Sequence, residues 1–207
     1  MTRYGMAIDL NRCFGCQTCA VACKMANNLP NDVLFNQVKT VGGDSVDTAA
    51  GEYPNCTLSY LPFQCQHCEN PACLDVCPTG ATAKDEETGI VSVDSELCIG
   101  CESCIKACPY EGVRSLISDN PEYYLEVEVG EFDAPPHTPG TVEKCTFCKN
   151  LIDRGEEPAC MQLCPGRARY WGDLDDPDSA VSKAIEGRDF HLMMESAGTS
   201  PNVYYLK

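Results

Sequence analysis

The stretch Cys98-Ile-Gly-Cys-Glu-Ser-Cys-Ile-Lys-Ala-Cys-Pro109, "CIGCESCIKACP", places four cysteines in eleven residues and closes on a proline. Thiols this dense are disulfide staples, a metal site or a redox site, and the spacing decides. Cysteines three apart make poor disulfides, because the bridge needs a Cα separation and side-chain directions that such a short loop does not offer. Structural zinc draws on separated C-x2-C pairs and gives no role to a third and fourth cysteine in the same run. The spacing C-x2-C-x2-C-x3-C-P is that of a loop around a four-iron, four-sulfur cubane.

Outward from this run the pattern recurs. Cys13, Cys16, Cys19 and Cys23 repeat it, with Lys24 in place of the proline. Cys65, Cys68, Cys73 and Cys77 precede Pro78, and Cys145, Cys148, Cys160 and Cys164 precede Pro165. These two groups are looser, yet each keeps four thiols and the trailing proline. Seventeen of 207 residues are cysteine, a density that points to a disulfide scaffold or a metal protein. Only Cys56 stands alone, read as a small buried hydrophobe. In the bacterial ferredoxin run, three cysteines wrap one cubane and the fourth, on the following helical turn, completes another. The groups therefore work in pairs, and sixteen ligands make four [4Fe–4S] clusters.

The order along the chain is nested. The second and third groups lie close together, and "GIVSVD", with its alternating strand Ile90–Asp94, leads into the third as "GMAIDL" (residues 5–10) leads into the first. These half-repeats predict an α+β fold: two nested bacterial ferredoxin-like modules around four iron–sulfur clusters, with short strands, short helices and long loops. Residues 62–112 form the inner module, and residues 1–24 with 144–175 the outer one. Residues 25–61 and 113–143 are connecting arms, and 176–207 a C-terminal tail for packing or partner contact. In the arms, "YYLEVEVGEF" (residues 123–132) reads as an alternating strand and "VGGDSVDTAAGEYPN" as a loop. In the tail, a helix capped near Asp178 and stopped at Gly187 precedes a terminal strand, "PNVYYL".

Formal charge is −16, which argues against nucleic acid as a partner. Each oxidised cubane with four thiolates carries about −2, so four add about −8 to the interior. The N-terminus has no apolar signal core and no arginine pair, and no apolar run is long enough to span a bilayer. The expected location is cytoplasmic, or the outer face of the cytoplasmic membrane if the chain is exported in complex with a signal-bearing catalytic subunit. Nothing resembles a catalytic triad or a phosphate loop, so no catalytic residue is assigned. Lys24, Lys106 and Lys144 lie beside cysteine loops, where each is either a cation that favours the reduced cluster or a solvated surface lysine. His67, between two ligands, is either a hydrogen-bond donor to cluster sulfur or a packing residue. Trp171 reads as core or interface packing, and His137 and His191 lack ligand spacing.

The runs "MAIDLNRCFGCQTCAVACK", "CQHCENPACLDVCPTGAT", "CIGCESCIKACPY", "EKCTFC", "PACMQLCPGRARYWGDLDDP" and "GTSPNVYYL" together resemble the four-cluster ferredoxin subunit of molybdopterin oxidoreductases. That group serves dimethyl sulfoxide, polysulfide, tetrathionate and arsenate reductases and anaerobic dehydroxylases. The resemblance implies a cluster on Cys13, Cys16, Cys19 and Cys164 (cluster 1) and one on Cys65, Cys68, Cys73 and Cys108 (cluster 2). It implies a third on Cys98, Cys101, Cys104 and Cys77 (cluster 3) and a fourth on Cys145, Cys148, Cys160 and Cys23 (cluster 4). It further implies a non-catalytic subunit that relays single electrons to or from a molybdopterin catalytic subunit, with a membrane anchor or quinol-oxidising subunit as a further partner. A stand-alone soluble polyferredoxin is the alternative, and the two connecting arms and the tail speak against it.

Overall fold

The computed structural model describes residues 2–207. Its strands are β1 (Tyr4–Asp9), β2 (Asn36–Val41), β3 (Ser59–Gln64), β4 (Thr82–Lys84), β5 (Val91–Val93), β6 (Arg114–Leu116), β7 (Val142–Lys144), β8 (Arg169–Asp173), β9 (Phe190–Leu192) and β10 (Val203–Leu206). Its helices are α1 (Thr18–Ala26), α2 (Ala72–Asp75), α3 (Ser103–Ala107), α4 (Lys149–Asp153), α5 (Ala159–Gln162) and α6 (Ala180–Ile185). Elements this short cannot bury much apolar surface alone, so the interior depends on what the cysteines hold.

A four-stranded sheet runs β8-β1-β10-β9, with β1 and β10 parallel and the other pairs antiparallel. β1 is central, which is why it is apolar at successive positions rather than alternately. Met6 and Ile8 pack on one face against Cys19, Cys160 and Phe147. Ala7 packs on the other against Val181 and Ala184 of α6, and Leu206. The 176–207 tail is thus built into the sheet: Val203, Tyr205 and Leu206 are all fully buried. Ser179 caps α6, its Oγ accepting from the Ser182 N–H at 3.1 Å, and Gly187 beyond the helix has φ +67°.

Two antiparallel strand pairs share one plan. β1 leads into the first cysteine loop and pairs antiparallel with β8, which follows Cys164. β5 leads into the third loop and pairs antiparallel with β4, which follows Cys77. The helices match: α1 packs on α5, and α2 on α3. β2–β3 and β6–β7 are further antiparallel pairs; they bring the Cys65 and Cys145 loops in at the ends of β3 and β7. Apolar packing follows the cysteines. Among the described residues, the cluster of Ala7, Val181, Ala184 and Leu206 is the one buried apolar cluster without a cysteine in it.

Two sequence expectations need correction. Residues 123–132 form no strand. The alternation is present, but no neighbouring strand supplies a ladder. The segment instead crosses the end of α1 through isolated bonds, such as the Glu131 N–H to the Ala26 carbonyl at 2.9 Å, and leaves Tyr124, Val127 and Phe132 exposed. Cys56 is exposed rather than buried, because it sits in the surface loop between β2 and β3.

Candidate metal centre

The first and third cysteine loops are held in the same way. Asp9 Oδ1 accepts from the Asn11 N–H at 3.0 Å and the Asp9 carbonyl accepts from Cys13 N–H at 3.2 Å. Asp94 does the same for the Glu96 N–H at 2.8 Å and the Cys98 N–H at 3.0 Å. These side-chain turns set the first ligand of each loop. Gly15 and Gly100 then take φ +75° and +65°; a Cβ at either would run into the Tyr60 ring or the Gly140 carbonyl. Gln17 and Glu102 are left-handed too, at φ 61° and 58°. Two successive left-handed turns wind the chain inward, so that three sulfurs share one side before α1 and α3 begin.

The second and fourth loops share another plan. His67 and Phe147 stand at equivalent places in "CQHC" and "CTFC", with φ 42° and 57°. Their rings stack on each other, centroids 3.7 Å apart and planes 17° apart. Pro71 and Pro158 then cap α2 and α5, which carry Cys73 and Cys160.

The thiols assemble across groups. One cavity is lined by Cys13, Cys16 and Cys19 together with Cys164. Another is lined by Cys98, Cys101 and Cys104 together with Cys77. Cys23, on α1, is surrounded by Cys145, Cys148 and Cys160; burial first, then these three thiols, push its pKa well up. Cys108 lies against Cys65 and Cys73, and burial raises it to about 11. Cys68 faces Cys65 and Cys73 as well. None of the seventeen is in a disulfide. Among the described residues no three His, Cys, Asp or Glu side chains are set to hold a single metal ion.

This donor set fits iron–sulfur clusters. Thiolates crowded out of water repel each other, as the raised values record, unless a cationic core lies between them. Sulfur acceptors are already served by N–H donors: Thr82 to Cys77, Val142 to Cys98, Phe147 to Cys145 and Ala168 to Cys164, each at 3.4 Å. The Asn27 amide approaches Cys23 Sγ at 3.7 Å. The hydroxyls of Thr18 and Ser103 lie 3.3 and 3.5 Å from Cys16 and Cys101 at matching places.

The other residues singled out in the sequence are placed as follows. His67 is fully buried and held neutral by desolvation and the charges of Lys144 and Arg114. Its Nδ1 accepts from the Val91 N–H at 3.2 Å, which leaves the ring proton on Nε2, a buried atom with no partner among the described residues. Lys24 spends its ammonium on the carbonyls of Pro30, Asn31 and Val33. Lys106 is exposed, whereas Lys144 is 2% exposed and bonds carbonyls. Trp171 packs on Tyr4 and Phe147, both centroids at 4.8 Å. Sequence reasoning missed two buried arginines, Arg114 and Arg169. Their signal is position: each stands in a short strand soon after a cysteine-proline run.

Cysteine sets drawn from paired loops, with backbone donors aimed at their sulfurs, define an iron–sulfur electron-transfer protein. Comparison with known proteins agrees. The family described as "4Fe-4S dicluster domain" matches residues 56–120 and 134–174, and that described as "4Fe-4S binding domain" matches 10–26. The chain is 45% identical to the protein named as the iron–sulfur subunit of a dimethyl sulfoxide reductase in Halobacterium salinarum, over all of this chain and 79% of that one. It is 40% identical to a subunit of the selenate reductase of Mesobacillus selenatarsenatis, over 97% of this chain and 70% of the other. It is 35% identical to the arsenate respiratory reductase iron–sulfur subunit of a Shewanella species, over 99% and 96%. The chain belongs to this family of iron–sulfur subunits of oxidoreductase complexes. It is an electron-transfer subunit and not itself the catalyst. Among the described residues no helix is long and apolar enough to cross a membrane.

Proposed function

We propose that the sixteen grouped cysteines hold four [4Fe–4S] clusters in two nested ferredoxin-like modules, and that these relay single electrons to or from a molybdopterin-containing catalytic subunit. The observation that supports this reading is the proximity of thiols across groups: the fourth cysteine of each tight loop lies with the three cysteines of a looser one, and the reverse. Cluster 1 takes Cys13, Cys16, Cys19 and Cys164. Cluster 2 takes Cys65, Cys68, Cys73 and Cys108. Cluster 3 takes Cys98, Cys101, Cys104 and Cys77, and cluster 4 takes Cys145, Cys148, Cys160 and Cys23. Residues 1–24 and 144–175 make the outer module, 62–112 the inner.

Neighbouring thiols give the order of the relay. Cys19 of cluster 1 lies near Cys160 of cluster 4, Cys145 of cluster 4 near Cys65 of cluster 2, and Cys73 of cluster 2 packs with Cys104 of cluster 3. The path runs 1–4–2–3, with the stacked His67 and Phe147 at its centre. When bound, each cubane takes up and gives up one electron. The chain's part is to fix the spacing, exclude water from the two inner sets and supply N–H donors to sulfur. Exposed Phe14 beside cluster 1 and exposed Ile99 beside cluster 3 offer apolar rims at either end, one for the catalytic subunit and the other for a membrane anchor or quinol-oxidising subunit. The place of work follows the partner: cytoplasmic, or the outer face of the membrane when exported with it.

The test is purification of the native protein without oxygen. Ligand count sets the expectation at about sixteen irons per chain, in a complex containing molybdopterin. About eight irons would remove the double-module reading. Elution as a free 22.5 kDa chain would favour a stand-alone polyferredoxin.

A further inference from the structure

Among the described residues, three cations are buried without a carboxylate partner. Arg114, Lys144 and Arg169 are 5%, 2% and 3% exposed. Among the described residues none of them is in an ion pair, although the chain carries 31 acidic residues against 15 basic ones. Arg114 and Lys144 even stand directly opposite each other in the β6–β7 ladder, where like charges destabilise a sheet. A buried unpaired charge costs several kcal/mol. Arginine cannot escape that cost by losing its proton, so an anion has to be near.

The geometry identifies the anions. Arg114 Nη2 donates to Cys73 Sγ at 2.8 Å, and Cys65, Cys104 and Cys108 also face the guanidinium. Arg169 Nη1 reaches Cys160 Sγ at 3.8 Å, Met6 Sδ at 3.2 Å and Gln64 Oε1 at 3.4 Å. Its Nη2 donates to Asn36 Oδ1 at 3.0 Å, and it borders the cavity of Cys13, Cys16, Cys19 and Cys164. Burial opposes the charge on both arginines, and the facing thiolates outweigh it. Cys73 and Cys160 are the third cysteines of the two looser groups. Arg169 also bonds Cys19 of the outer set, so each arginine sits between two cysteine sets, with Nη atoms on the Cys73 and Cys160 sulfurs of the sets nearer the centre.

We infer that Arg114 and Arg169 set the redox potentials of the two inner clusters, 2 and 4 respectively, by donating to their Cys73 and Cys160 sulfurs. The inference rests on the ligand assignment proposed above. Reduction makes a cluster more negative, so a fixed neighbouring cation and a charge-assisted bond to sulfur stabilise the reduced form more than the oxidised one. The potential rises accordingly.

The experiment is a redox titration of the anaerobically purified protein followed by electron paramagnetic resonance. It compares wild type with Arg114→Gln, Arg114→Lys, Arg169→Gln and Arg169→Lys; Cys73→Ser and Cys160→Ser mark which signal belongs to which inner cluster. Each glutamine variant is expected to keep its iron. At the wild-type midpoint of its own inner cluster, the ratio of reduced to oxidised cluster should fall at least tenfold, a negative shift of about 59 mV for one electron. The lysine variants, which keep the charge, should recover most of the loss. An unchanged midpoint with iron retained overturns the inference and leaves the four-cluster reading intact. Fewer than four clusters in wild type overturns the ligand assignment first. If a glutamine variant loses iron, retention in the matching lysine variant supports the role of charge, and loss in both overturns it in favour of a purely structural role.

Discussion

Replacing Phe147 by alanine and by glycine separates two contributions at the centre of the molecule. Its side chain is 1% exposed. The ring is stacked at 3.7 Å on His67 and meets Trp171 edge-on at 4.8 Å. Truncation of a buried phenylalanine costs about 3–5 kcal/mol, including the void it leaves. In a protein of this size that lowers the melting temperature by on the order of 10 °C. The backbone adds a second effect. At φ 57° any residue with a Cβ bears a left-handed strain of about 1–2 kcal/mol, which glycine escapes. Phe147→Gly should therefore be no less stable than Phe147→Ala, against the usual order. Neither variant loses the N–H that donates to Cys145 Sγ at 3.4 Å, so both should keep a full complement of iron. The assay is anaerobic thermal loss of visible cluster absorbance, with iron content measured beforehand. Unfolding that destroys the clusters is irreversible, so the comparison is made at one scan rate. A glycine variant less stable than the alanine one by a kcal/mol or more would refute the argument. So would an alanine variant as stable as wild type.

Stripping iron with a chelator should abolish cooperative unfolding, because nearly every buried apolar cluster includes a ligand cysteine; hydrogen exchange should find residual protection concentrated in β1, β10 and α6. A compact apo-protein with native near-ultraviolet circular dichroism would count against this. Leu206→Ala, in that same cysteine-free corner, should cost about 2–5 kcal/mol while leaving the resonance spectra of the clusters unchanged. His137 donates from Nε2 to the Asn27 carbonyl at 2.8 Å and from Nδ1 to Glu143 at 2.5 Å. Burial opposes its charge, but these acceptors prevail and raise its pKa. Its contribution is therefore fully present below about pH 6.5, the unfolded value, and is lost as pH rises through the higher folded value. Protection factors, exchange rates corrected for the intrinsic hydroxide-catalysed rate, should fall for residues 131–143 across that window in wild type, and His137→Gln should remove that fall.

What was legible in the sequence is what local spacing determines. Three-residue intervals between cysteines fix the loops, and each strand feeding a tight loop announces itself, as the apolar run of "GMAIDL" and the alternation of "GIVSVD". Pairings between distant segments were not legible. The β2–β3 and β6–β7 ladders join segments whose local patterns are ordinary, and "YYLEVEVGEF" has a strand's alternation without a strand's neighbour. Alternation reports that one face is favoured, not that another chain segment lies alongside. Cys56 was misread because cysteine is usually buried, whereas its loop between β2 and β3 stays at the surface. Arg114 and Arg169 went unnoticed for the opposite reason. Arginine is usually exposed, and only an interior anion makes its burial reasonable.

The crossover of ligands is the central claim, and a pair of single substitutions tests it. Cys164→Ser should perturb the resonance signal of the cluster on Cys13, Cys16 and Cys19, since Cys164 borders their cavity. Cys23→Ser should perturb the cluster on Cys145, Cys148 and Cys160, the thiols that surround Cys23. The direct measurement is paramagnetic resonance of the reduced variants beside wild type, with Cys13→Ser and Cys145→Ser as references. The account expects Cys164→Ser to share its altered signal with Cys13→Ser, and Cys23→Ser to share its own with Cys145→Ser. The reverse pairing, Cys164 with Cys145 and Cys23 with Cys13, would contradict the crossover and the two-module architecture built on it.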